Sequence, residues 1–147
     1  MFVVDTNVLI YAADTNASEH VQCRSLLERW RAQQGAWYLT WGICYEFLRV
    51  VTHPRVLRHP WTGRSAGAFL DALRQSPGLS VLVPSERHAS VLADVTAEIP
   101  GISGNLWHDV ETVVLMREHG IRRICTRDTD FARFPFVEIV DPLRSDL

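Results

Sequence analysis

Short apolar runs alternate with segments of helical periodicity from one end of this chain to the other, and that alternation restricts the fold more than any other feature. Phe2 to Val4 reads as a buried strand ending at Asp5. Val8 to Ala13 begins a helix that Asp14-Thr15-Asn16 interrupts. A second helix is expected from Ser18, as its N-cap, to Gln34, with Gly35 as the stop. Then follow a strand over Trp37 to Thr40 and a helix from Trp41 to Thr52 that His53-Pro54 terminates. Beyond a loop rich in Arg, His and Pro, the pattern predicts a helix over Gly63 to Gln75, a strand over Ser80 to Val83 and a helix over Ser85 to Ala97. A loop through Ile99 to Asn105 leads into a helix from Leu106 to His119. The chain closes with a strand over Arg123 to Thr126, a turn at Ala132 to Phe134 and a strand over Val137 to Val140. Strands spaced by helices imply an α/β fold: a three-layer α/β/α sandwich on a mostly parallel sheet of four to five strands. There is no internal repeat. Functional groups in such sheets gather beyond the carboxyl ends of the strands, which is where Asp5 and Asp128 fall.

At 147 residues the chain is read as one domain, 1–147, large enough for a proper core. No apolar run approaches the ~20 residues of a membrane span, and no secretory leader is visible at the start, so a cytoplasmic location is expected. The cysteines, Cys23, Cys44 and Cys125, form no C-x-x-C pair, which supports neither a disulfide framework nor a thiolate zinc site. Cys44 has no neighbouring base that would make it a nucleophile. The net charge of -2 does not advertise a nucleic-acid binder. All 15 basic residues are arginines, a bias that genome composition alone can produce but that also suits phosphate recognition.

Four acidic positions carry the chemistry. Asp5 emerges from the first strand beside a helix start, where an ordinary N-cap is the plain alternative. Glu46 shares the apolar side of its helix with Ile43, Phe47 and Val50, an expensive place for a carboxylate unless it is paired, as with Arg49, or bound to a cation. Asp109 stands near the start of the helix after the Gly101 to Asn105 loop, where it also suits the helix dipole. Asp128 follows the late strand just as Asp5 follows the first, with Asp130 two residues on. Glu111 and Glu118 read as solvated surface, and His108 as a lone exposed histidine. Carboxylates converging on one rim repel one another unless protonated or neutralised, so convergence implies metal. Oxygen-only donors favour Mg²⁺, with Mn²⁺ as a substitute, and such ions suit phosphodiester hydrolysis. Arg49, His53 and Arg55, with Arg58, His59 and Arg64 beyond them, are candidate phosphate contacts, against the alternative of a solvated loop. Trp37 and Trp41 read as core, although these rings and Trp61 could also stack bases or receive a partner helix.

The order of these pieces resembles the PIN domain family, and within it the VapC-type toxin ribonucleases of bacterial type II toxin–antitoxin systems. The resemblance rests on Val3-Val4-Asp5-Thr6-Asn7-Val8-Leu9-Ile10, Tyr45-Glu46-Phe47-Leu48-Arg49-Val50, Asp109, and Cys125-Thr126-Arg127-Asp128-Thr129-Asp130-Phe131, and it covers nearly the whole chain. It implies an acidic pocket of Asp5, Glu46, Asp109 and Asp128, with Asp5, Asp109 and Asp128 on the metal. Asn7, Thr126 and Asp130 would stand behind them. It also implies Mg²⁺-dependent cleavage of RNA, a homodimer, and inhibition by a VapB-type antitoxin. Val110-Glu111 depart from the small residues that often follow the late aspartate. A housekeeping RNA-processing nuclease and an inert PIN-like binding module are the alternatives. An aspartyl-phosphate enzyme would need a second acid where Asn7 stands, and a lysine that the chain lacks.

Overall fold

The computed structural model describes residues 1–144. Five strands form one parallel sheet in the order β3-β2-β1-β4-β5. They are β1 (Val3–Val4), β2 (Trp37–Thr40), β3 (Leu79–Leu82), β4 (Arg123–Cys125) and β5 (Glu138–Val140). Six α-helices lie between them among the described residues: α1 (Thr6–Ala13), α2 (His20–Ala32), α3 (Trp41–Val51), α4 (Gly63–Arg74), α5 (His88–Glu98) and α6 (Leu106–Glu118). A 3₁₀ turn, Thr129–Arg133, separates β4 from β5. The three-layer sandwich expected from the alternation is the architecture found.

β1 lies at the centre of the sheet and is short. Val3 and Val4 are wholly buried, as are Leu39 of β2 and Ile124 and Cys125 of β4, which is why these strands read as unbroken apolar runs and not as alternating ones. The helix ends are local chemistry. Buried Thr40 caps α3 by accepting from the Ile43 amide at 3.1 Å, and Thr62 caps α4 by accepting from Ser65 at 3.1 Å. α6 ends where Gly120 takes φ 67°, with the Ile121 amide bonded back to Met116 and the Gly120 amide to Arg117. This Schellman closure turns the chain into β4.

Three helix starts depart from the sequence reading. α2 begins at His20 and not after Ser18, because the Ser18 hydroxyl donates to Glu19 at 2.8 Å while Glu19 pairs with Arg127 at 2.6 Å. α5 begins at His88 and not at Ser85, because both the amide and the hydroxyl of Ser85 donate to Glu118, at 2.8 and 2.5 Å. Glu118 is therefore no surface residue: its side chain is fully buried and also meets His88 Nδ1 at 2.6 Å. Nor is Trp41 core. It opens α3 with 44% of its surface exposed, whereas Trp37 is fully buried and packs 6.0 Å from Trp30. α1 starts at Thr6, two residues before the predicted Val8, since Asp5 itself serves as N-cap.

Candidate active site

In a sheet ordered β3-β2-β1-β4-β5 the chain leaves β1 toward one edge and leaves β4 toward the other, so a crevice opens between their carboxyl ends. The Asp5 amide, donating to Cys125 O at 3.0 Å, fixes the two strand ends side by side. Asp5 Oδ1 accepts from the Thr6 amide at 2.6 Å, and Oδ2 accepts from Asn7 Nδ2 at 2.7 Å and from the Thr126 hydroxyl at 2.6 Å. Thr126, fully buried, also accepts from Asn7 Nδ2 at 2.8 Å and from the Asp128 amide at 2.9 Å. Its one proton and both lone pairs are thus in use, and one hydroxyl ties the loop after β4 to the loop after β1.

Burial pushes Asp5 up to about 6; the Thr126 and Thr6 hydrogen bonds oppose it, while Asp128 and Glu46 add repulsion. Asp109, in the first turn of α6, is pushed up to about 7, first by burial and then by the charges of Asp128, Asp5 and Asp130. Asp128 caps the 3₁₀ turn by accepting from the Asp130 amide at 2.8 Å, and both of these carboxyls are exposed. Glu46 reaches the cleft from α3, where Arg49 grips it with Nε at 3.0 Å and Nη2 at 2.6 Å and holds it below the usual carboxylate range. Its side chain is partly exposed, so Glu46 is less buried than the apolar spacing of α3 suggests. These groups line one cavity of about 430 Å³ together with Asn7, Arg49, Asn105, His108 and Glu111.

Glu111 was not legible as a cleft residue. Its Oε2 lies against Gly42 of α3, where a Cβ would come within 2.7 Å. A side chain at 42 would push this flexible carboxylate aside, and a glycine inside a helix is the signal that points to such a close approach. The three cysteines are all buried and pushed up by that burial, Cys44 to about 11, which leaves no thiolate nucleophile.

Among the described residues, no three His, Cys, Asp or Glu side chains stand in a ready-made ligand cluster. The donors nevertheless suit a hard divalent cation. They are oxygens only, and Asp5 and Asp109 are raised first by burial and then by neighbouring carboxylates, whose repulsion a cation relieves. Mg²⁺ characteristically takes just one or two protein carboxylates and keeps water on its other positions.

The sequence pattern of the PIN domain family matches residues 2–137. The chain is a PIN domain. It is 33% identical over 138 residues to ribonuclease VapC48 of Mycobacterium tuberculosis, covering 94% of each chain. In fold, this PIN domain superposes on the sarcin–ricin-loop-cleaving toxin VapC20 of Mycobacterium tuberculosis with a TM-score of 0.66 at 16% identity, covering 94% of this chain and 98% of that one. Against VapBC2 of Rickettsia felis, crystallised on a promoter DNA fragment, the TM-score is 0.65 at 15% identity, with 95% and 96% covered. No helix among the described residues of this PIN domain is long and apolar enough to cross a membrane. Of the basic residues singled out as phosphate contacts, Arg49 lines the cleft; His53 and Arg55 do not, lying beyond the end of α3 and bonded to each other at 3.1 Å.

Proposed function

We propose that this PIN domain is a cytoplasmic endoribonuclease of the VapC kind that hydrolyses RNA phosphodiester bonds with Mg²⁺, for which Mn²⁺ can substitute. The observation that carries the reading is the pair of carboxyls, Asp5 and Asp109, brought into one cleft at the sheet's switch point and raised first by burial and then by neighbouring acids, Asp128 and Glu46 for Asp5 and Asp128, Asp5 and Asp130 for Asp109. Such a concentration of acid is costly to a fold and gains purpose only with a cation. The likeness to relatives named as ribonucleases supports the choice of RNA.

Asp5, Asp109 and Asp128 would hold the cation, one or two of them directly and the remainder through its bound water, and the ion would supply charge to neutralise the phosphodiester and activate water. Asn7 and Thr126 keep the Asp5 carboxylate in one orientation, and Asp130 adds charge behind Asp128. Glu46 faces the same cavity; a phosphate arriving there competes for Arg49, and the freed carboxylate can then take a proton from an attacking water. By likeness to VapBC2, a VapB-type antitoxin is the proposed regulator; that the active form is a homodimer is proposed from the PIN-domain toxin resemblance of the sequence alone.

The test is cleavage of RNA by the purified protein in Mg²⁺. Asp5→Asn is expected to lower the rate at least about a hundredfold with the fold intact by circular dichroism, and EDTA is expected to abolish it. Undiminished cleavage by Asp5→Asn overturns the assignment.

A further inference from the structure

Trp41 and Tyr45 stand one turn apart on α3, 44% and 69% exposed, with ring centroids 6.3 Å apart and planes tilted by 43°. The Arg74 guanidinium of α4 lies 5.4 Å over the Trp41 ring. These rings wall a second groove of about 600 Å³, and six of its eight lining residues, Glu46, Arg49, His108 and Glu111 among them, also line the acidic cleft.

From this continuity we infer that the groove is a nucleobase subsite, in which a base beside the scissile phosphate stacks on the Trp41–Tyr45 platform. The inference rests on the ribonuclease reading and adds to it that the substrate strand is single-stranded here, since a paired base cannot offer its face. The lining has an aromatic part, Trp41 and Tyr45, and a polar and ionic part that includes Glu46, Arg49, His108 and Glu111. An apolar protein helix laid in it would cover the Glu46–Arg49 pair, His108 and Glu111 without giving them partners. A nucleotide satisfies both parts: its base covers the rings, while its ribose and phosphate meet the polar groups. Arg74, which also pairs with Asp71 at 3.4 Å, steadies the Trp41 ring from the α4 side.

The experiment measures binding of a fluorescein-labelled uridine hexanucleotide, and of an abasic ribose-phosphate strand of equal length, to Asp5→Asn protein, which holds RNA uncut. Adding Trp41→Ala and Tyr45→Ala together is expected to weaken the uridine strand about tenfold or more and leave the abasic strand unmoved. Trp41→Phe, which keeps a ring, is expected to retain most of the affinity. Unchanged uridine binding, or equal loss on both strands, overturns the subsite. So does a change in sedimentation with RNA affinity intact, which would make this face a protein contact. If the alanine pair binds uridine normally while the wild-type protein still cleaves RNA in Mg²⁺, only the subsite falls. If the wild-type protein cleaves no RNA, the nuclease reading falls and takes the subsite with it.

Discussion

Asp109 shows what a crowded acid does to its own protein. Burial and the charges of Asp128, Asp5 and Asp130 push its carboxyl to about 7, well above its unfolded value of 3.8. The folded state therefore holds this proton more tightly than the unfolded state, so ionisation weakens folding progressively from the unfolded value up to about 7 and fully above that. Asp109→Asn removes the charge at little cost in shape. In metal-free buffer at pH 8 it is expected to raise Tm by a few degrees, about 1 kcal/mol for a domain of this size. At pH 5, where the native carboxyl is already protonated, the gain should be much smaller. An equal gain at both pH values, read by differential scanning calorimetry, would show that charge is not the cause.

Among the elements, the α5–α6 junction depends on Glu118. Burial alone would raise its pKa, but the Ser85 and His88 hydrogen bonds hold it below the ordinary range. Arg87 adds a bond to Glu118 O at 2.7 Å. Glu118→Ala leaves the Ser85 amide, the Ser85 hydroxyl and the His88 ring facing a void, and is expected to cost about 2–4 kcal/mol in urea denaturation. A loss below 0.5 kcal/mol would show the junction to be held by its apolar contacts instead. The sequence concealed this carboxylate because one acid near a helix end reads as solvated surface, and its partners lie 30 and 33 residues away. Trp41 misled in the opposite sense: an aromatic at a strand-to-helix junction looks like core until the neighbouring elements are placed. Asp5 and Asp128, by contrast, were legible because a short apolar strand in a parallel sheet leaves its following residue only one rim to occupy. Glu46 and its Arg49 partner were legible from i,i+3 spacing alone. That these acids meet across more than a hundred residues of chain followed from no local pattern but only from the family resemblance, which also placed Thr126 behind them; the aligned strands add that its hydroxyl joins the Asp5 carboxylate to the Asp128 amide.

For the whole molecule, the strand order places the loops after β1 and β4 beside each other, and the acids of both loops share the resulting crevice with those of α3 and α6. Folding this crevice without a cation opposes stability at neutral pH. With Asp5 at about 6 and Asp109 at about 7, the metal-free protein should lose Tm as pH rises from 5 to 8. Millimolar Mg²⁺ should restore it by several degrees at pH 8 and much less at pH 5, since protonated carboxyls do not bind the ion. A Tm indifferent to Mg²⁺ at pH 8 would count against a cation site of physiological strength. Most direct is the binding of Mn²⁺ followed by electron paramagnetic resonance at pH 7.5, on the wild-type protein, Asp5→Asn, Asp109→Asn and Asp71→Asn, a surface acid outside the cleft lining. The account predicts Mn²⁺ bound by the wild-type and Asp71→Asn proteins and released from the other two; equal binding by all four, or none by the wild type, would contradict it.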